Sequence, residues 1–199
     1  MRIRLATPDD GPRLAEIYRP AVVNSTLSVE PLPPDGAAMA HRIRDTLPHR
    51  PWLVAADQTL LGYAYASSHR VRASYAWSVE VSIYTDPAVH RRGIGRALYA
   101  SLLAILRLQG FQNAYAGLTV PNPPSRALHL AFGFKLLGTY PKVAFKDGRW
   151  LDLEWFGLAL GSYPSFPLPP RPLPELVGTP AFAAALATGL QDRGVAAKP

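Results

Sequence analysis

The 199-residue chain has no cysteine. That excludes disulfides, thiolate metal sites and a cysteine nucleophile, and no other residues call for a metal. No apolar run is long enough to span a bilayer, and the N-terminus lacks the hydrophobic segment of a signal peptide. The expectation is a soluble, cytoplasmic protein with no membrane partner. Two common phosphate-binding signatures are also missing. No glycine precedes Lys-Ser or Lys-Thr, as a P-loop requires. Gly93-Ile94-Gly95 has neither the third glycine nor the downstream acid of a dinucleotide-binding turn. Charged residues make up only 18% and hydrophobic ones 48%, which are globular values. The length suits one domain with a sizeable core.

Basic residues outnumber acidic ones, 21 to 14, for a net charge of +7. Nucleic acid is one partner that such a balance suits. The basic residues form no single block, however, and many sit in one short segment. No basic surface interleaved with aromatics is evident elsewhere, so nucleic-acid binding is not expected. A polyanionic small molecule explains the placement as well.

That segment follows a strand. From Trp77 to Tyr84 the residues alternate: Trp77, Val79, Val81 and Ile83 face one way, Ser78, Glu80, Ser82 and Tyr84 the other. One face suits a core; the other sets one carboxylate among hydroxyls. Asp86-Pro87 ends the strand, because proline cannot donate to the ladder. Then come Arg91, Arg92, Gly93, Ile94, Gly95 and Arg96. The glycines let backbone N–H groups approach a ligand closely. A helix from about Ile94 to Gln109 follows, with Leu98, Leu102, Ile105 and Leu106 on one face and Gly110 as its stop. A helix N-terminus carries unpaired N–H groups and partial positive charge, and arginines add forked donors. The combination reads as a pyrophosphate cradle; the plain alternative is a glycine turn with solvated arginines.

Other elements follow from local signals. Arg2–Leu5 reads as a strand. Thr7, Pro8 and Asp10 start a helix that turns Leu14, Ile17, Tyr18 and Val22 inward. The polar segment 24–30, closed by prolines, leads to a second helix over Asp35–Leu47; it is either a lid or a surface connection. Trp52–Ala56 and Leu60–Ser67 pair across a turn. Ala114–Val120 is a strand, and Asn122 caps a helix running to about Phe132. Phe134–Phe145 and Arg149–Ala159 form a closing hairpin whose aromatics, Trp150 among them, read as its core. From Tyr163 prolines recur, which reads as a stiff, extended tail outside the core. It includes a short helix over Ala181–Leu190, with disorder in the last few residues. The expected class is a mixed α/β, α+β layered fold: a mostly antiparallel sheet flanked by helices. Residues 1–162 would be the domain and 163–199 an extension.

The glycine-arginine turn resembles the acetyl-CoA loop of the GNAT superfamily of N-acetyltransferases, with His90 in the slot where that pattern has Gln or Arg. Further stretches in order sharpen the likeness: Gly62 to Ala66, Tyr75 to Tyr84, Pro121-Asn122 with Ser125, Leu128-His129, Gly133-Phe134, and Phe145 to Asp152. Together they resemble the phosphinothricin and methionine sulfoximine N-acetyltransferase branch, over about Arg2 to Leu160. The likeness implies the acyl-CoA N-acyltransferase fold, acetyl-CoA as co-substrate, an amino-acid-like amine as acceptor, and a homodimer. It implies Glu80 as general base and His129 where many relatives carry a tyrosine that protonates the leaving thiolate. Ile83, Tyr84 and Thr85 would hold the pantetheine arm. Arg91 to Arg96 would hold the phosphates, with Asn122 and Ser125 near the thioester. Glu30, Arg72 and Tyr75 are the acceptor-binding candidates. Two positions depart from the branch: Leu130, where it has glutamate, and Val29, where it has an aromatic.

The residues themselves allow plainer readings. A strand glutamate such as Glu80 commonly lies on a solvated face, and His129 on an amphipathic helix is commonly a satisfied structural histidine. Arg72 and Tyr75 could equally serve loop solvation and packing. The same chemistry could act on a polyamine, an aminoglycoside or a protein N-terminus. A CoA-binding module without catalysis is disfavoured by the acid at position 80.

Overall fold

The computed structural model describes residues 1–191. The expected disorder of the last few residues concerns positions outside that range. Seven strands form one open sheet. They are β1 (Arg2–Leu5), β2 (Trp52–Ala56), β3 (Leu60–Ser68), β4 (Ser78–Thr85), β5 (Asn113–Thr119), β6 (Lys135–Lys146) and β7 (Arg149–Ala159). The spatial order is β1-β2-β3-β4-β5-β7-β6. Every neighbouring pair is antiparallel except β4 and β5. The helices are α1 (Gly11–Val23), α2 (Gly36–Thr46), α3 (Ile94–Gln109), α4 (Pro123–Ala131) and α5 (Pro180–Gln191). None of the helices among the described residues is long and apolar enough to cross a membrane.

Local chemistry sets the boundaries. The Asp10 carboxylate accepts from the Thr7 N–H at 2.7 Å and is gripped by both Arg4 terminal nitrogens, at 2.7 and 2.8 Å. This fixes a short 3-10 turn at Pro8–Asp10 ahead of α1. Asp35 caps α2 by accepting from the Ala38 N–H. Gly93 and Gly110 bracket α3 with φ of 73° and 92°, left-handed values that cost glycine nothing.

The core has two halves, one on each face of the sheet. Val79 and Val81 turn toward Leu98, Leu102, Ile105 and Leu106 of α3. Trp52, Val54 and Tyr63 pack against Leu14, Tyr18, Met39 and Ile43 of α1 and α2. The alternation along β2 and β4 thus divides the sheet as the period of two requires.

Three expectations change. Trp77 precedes β4 and is not core; its indole N–H donates to the Leu168 carbonyl at 2.8 Å. Trp150 and Phe145 are 60% and 61% exposed, their rings meeting each other 5.3 Å apart rather than filling a core. The proline-rich tail is docked. Leu173 and Leu176 are 1% exposed and, with Phe182, belong to the α3 half of the core. Gln109 donates to the Arg171 carbonyl, and Ser101 Oγ donates to the Leu186 carbonyl of α5. Proline keeps the connecting segment out of sheet and helix, but a few apolar side chains suffice to anchor it.

Candidate active site

The parallel pairing of β4 with β5 lasts for three registers: Ser78 with Asn113, Val79 with Ala114, and Glu80 with Tyr115. Beyond Glu80 the two strands separate, although β4 continues to Thr85 and β5 to Thr119. The edge of β4 facing β5 therefore has no strand partner from Val81 onward. Unpaired backbone donors and acceptors in a cleft need a ligand or water. A cleft of about 890 Å³ occupies this side of the molecule. Val81 to Thr85 form one wall and Ala116 to Leu118 another. Asn24, Ser25 and Leu27, after α1, line it as well, so the 24–30 segment borders the cleft in part.

The glycine turn closes the far end. His90, Arg91, Gly93, Ile94, Gly95 and Arg96 lie on the wall; Arg92 does not. The first turn of α3 has no side-chain cap, leaving its N–H groups for an anion. A Cβ added at Gly95 would rest in ordinary contact with Ile83, Leu128 and Thr85. In contrast, Gly93 needs glycine for its φ. The Arg96 guanidinium lies 5.3 Å over the Phe132 ring. Asn122 and Ser125 also line the cleft, with Asn122 Oδ1 capping α4 by accepting from the Ser125 N–H at 3.3 Å. The unpaired β4 edge, the uncapped helix start and the arginines together fit a long ligand with amides at one end and phosphates at the other.

Glu80 sits at the apex of the split, in the last paired register. Its carboxylate Oε1 is 3.0 Å from His69 Nδ1 and 3.4 Å from an Arg70 nitrogen. The His69 ring stacks on Tyr115 at 4.4 Å, with Tyr75 edge-on at 6.0 Å. Both His69 and Arg70 line a second, smaller cavity of about 190 Å³, shared with Tyr115, Leu137, Tyr140 and Trp155. Tyr75 is thus brought to the Glu80 cluster. Arg72 is exposed at the start of the short turn Ala73–Tyr75, and neither it nor Tyr75 lines the large cleft.

His129 is on the cleft wall but only 3% exposed. Its Nδ1 is 2.7 Å from the Ser125 carbonyl, and its Nε2 is 2.7 Å from Tyr99 Oη. A carbonyl only accepts, so Nδ1 carries the proton and Nε2 accepts from the tyrosine O–H. Burial pushes the imidazole below its usual range, against the opposing bond to Ser125. The ring is neutral and both nitrogens are engaged. Burial also pushes the Tyr99 hydroxyl far up, so a tyrosinate there is costly. His129 therefore joins α3 to α4, with both ring nitrogens engaged.

Glu30 is engaged as well. Arg42 donates to both its oxygens, at 2.7 and 2.9 Å, and Tyr18 Oη to one at 3.1 Å. The Arg42 guanidinium holds the carboxyl below the ordinary range. Tyr18 continues to Ser28 Oγ at 2.6 Å, and its ring meets Tyr84 at 4.6 Å. Burial raises the Tyr18 hydroxyl to about 12. Lys146, 5% exposed, donates to the Val22, Ser25 and Ser28 carbonyls. Glu30 thus braces the loop, and it is not on the wall of the large cleft. His69, Arg42, Tyr99 and Lys146 were not candidates from sequence; only the Phe145 to Asp152 stretch pointed near one of them.

The profile described as "Acetyltransferase (GNAT) domain" matches residues 3–155, and the chain belongs to that acetyltransferase family. It is 34% identical over 173 residues to the phosphinothricin N-acetyltransferase of Streptomyces coelicolor, covering 78% of this chain and 94% of that protein. It is also 34% identical over 171 residues to the L-methionine sulfoximine/L-methionine sulfone acetyltransferase of Pseudomonas aeruginosa, covering 83% and 98%. A crystal structure of a GNAT phosphinothricin acetyltransferase from Sinorhizobium meliloti in complex with acetyl-CoA superposes with a TM-score of 0.79. The identity is 38%, over 83% of this chain and 92% of that one.

Proposed function

We propose that the protein transfers acetyl from acetyl-CoA to the amine of a small amino-acid-like acceptor, of the phosphinothricin, methionine sulfoximine or methionine sulfone type. The observation that carries this reading is the position of Glu80. A carboxylate stands in the last paired register before the sheet splits, next to Val81, where β4 joins the cleft wall, and the glycine-arginine turn lines the same cleft as Val81.

The cofactor's phosphates rest on Arg91, Arg96 and the N–H groups of Gly93, Ile94 and Gly95. Its amides pair with the open edge of β4 at Ile83 to Thr85. Asn122 and Ser125 border the thioester end. The acceptor approaches from the Glu80 side, where Arg72 and Tyr75 offer a cation and a hydroxyl to its carboxylate. An ammonium has no lone pair, so Glu80 first removes a proton, and the free amine attacks the acetyl carbon. His129 keeps Ser125 and α4 in place. The protein works in the cytoplasm as a homodimer, for which the exposed Val143, Phe145 and Trp150 of the β6–β7 hairpin offer an apolar face.

The test is thiol release from acetyl-CoA over a panel of amines, comparing wild type with Glu80→Gln in single turnover. Methionine sulfone or phosphinothricin should be the better acceptors. The variant should lose roughly 10²–10⁴-fold in rate while binding acetyl-CoA unchanged. Wild-type single-turnover rates in Glu80→Gln would remove the base from this reading, and preference for polyamines or aminoglycosides would remove the acceptor.

A further inference from the structure

Acetylation takes two protons from one nitrogen. The acceptor arrives as R–NH3⁺ and leaves as R–NH–CO–CH3. One N–H bond breaks before attack and another after it. One proton ends on the CoA thiol once the C–S bond has broken, and the other goes to solvent. A single carboxylate holds one proton at a time, so Glu80 must be emptied within the turnover or share the load.

His69 is placed for this. It follows β3, whose Ser67 pairs with Glu80, and the chain folds back so that Nδ1 lies 3.0 Å from Glu80 Oε1. The ring is held by stacking on Tyr115 and by the edges of Tyr75 and Trp155. Its side chain is only 14% exposed. Among the described residues Nε2 has no hydrogen-bond partner, yet it is not a buried unpaired atom. The ring lines the 190 Å³ cavity, which Glu80 does not. The other charge facing the pair is Arg70, whose guanidinium also lies 5.9 Å over Trp155. A carboxylate only accepts, so Nδ1 carries the ring's proton and donates to Glu80, and Nε2 keeps a lone pair that can take one.

We propose that His69 is the second proton acceptor of acetyl transfer, sharing the load with Glu80 through the smaller cavity. This rests on Glu80 being the base. Nδ1–H donates to the Glu80 carboxylate, so the lone pair of Nε2 faces the cavity. One ammonium proton passes through water in the cavity to Nε2 as its N–H bond breaks, and the imidazolium is held against the Glu80 carboxylate until it returns that proton to solvent. Glu80, still a carboxylate, takes the proton of the attacked nitrogen and delivers it to the departing thiolate.

The experiment uses the full-length protein, acetyl-CoA and L-methionine sulfone in single turnover, with His69→Gln, His69→Asn and His69→Ala. Glutamine can still donate to Glu80 but cannot carry a proton. The expectation is a loss of at least about tenfold in the chemical step in the glutamine and asparagine variants, the lower side of what a lost proton-transfer group costs. Acetyl-CoA affinity should be unchanged. Added imidazole should restore His69→Ala, whose vacated ring space adjoins the cavity, but not Glu80→Gln. Wild-type rates in His69→Gln, or no imidazole rescue of His69→Ala, would overturn the proposal and leave His69 as a hydrogen-bond donor. If Glu80→Gln is slow while the His69 variants are fast, only this inference fails. If Glu80→Gln is itself fast, the underlying base assignment fails.

Discussion

Replacing Lys146 with methionine should loosen the border of the cleft from a distance. The ammonium donates at 2.6 Å to the Val22 carbonyl, at 3.2 Å to that of Ser25 and at 2.8 Å to that of Ser28. All three donors are used, on carbonyls at the end of α1 and in the loop that follows. Charge-assisted bonds are worth about 1.5–3 kcal/mol each, and a buried carbonyl left without a partner costs about 1–3 kcal/mol. Against this, methionine fills nearly the same volume and relieves the desolvation of a buried ammonium, which is several kcal/mol. The net loss should be roughly 2–4 kcal/mol. For a chain of this size each kcal/mol shifts the melting point by about 2–4 °C, so a fall of roughly 5–15 °C is expected. Because Asn24, Ser25 and Leu27 line the cleft, KM should rise as well. Denaturant unfolding and initial-rate kinetics on one preparation read both effects. A stability loss below about 1 kcal/mol with unchanged KM would show that the loop is held by something other than this ammonium.

Two further predictions concern the tail and the loop brace. A Cβ at Gly189 collides with the Ala97 carbonyl of α3, so Gly189→Leu should push α5 away and lower the unfolding midpoint. A chain ended after Leu160 exposes the seats of Leu173, Leu176 and Phe182, each worth about 1.5–3 kcal/mol, and should be insoluble or unfolded; a soluble, cooperatively folded truncation would show that the tail is dispensable. Arg42 depresses the Glu30 carboxyl, so the pair's contribution is complete above the unfolded glutamate value of about 4.3 and is lost as pH falls through the lower folded value. Discounted for its partial exposure, it is worth about 1 kcal/mol. Arg42→Met should flatten that part of the acid limb of a stability–pH curve, and an unchanged limb would mean the pair is already broken in solution.

The period of two from Trp77 to Tyr84 was enough to put Val79 and Val81 in the core and Glu80 on the opposite face, because successive strand side chains alternate whatever the surroundings. Gly93 and Gly110 marked both ends of α3, since left-handed backbone conformations favour glycine locally. The glycine turn at its N-terminus and the Asn122 cap were legible for the same reason: their partners lie within a few residues. Partners far along the chain left no such trace. Lys146 meets carbonyls 118 to 124 residues away, and Tyr99 reaches His129 over 30. Histidine and glutamate at 69 and 80 carry no periodic signal that they touch. The tail misled because composition reports average stiffness, whereas docking depends on where Leu173, Leu176 and Phe182 land. His129 showed as a histidine at the cleft in sequence, but its protonation and role depend on burial and two specific acceptors and donors, which only packing decides. The sequence alone determined the strand, the turn and the helix that make the cleft's frame; the tertiary structure decided which polar groups face each other across it, because hydrogen bonds between distant segments exist only once the chain has closed.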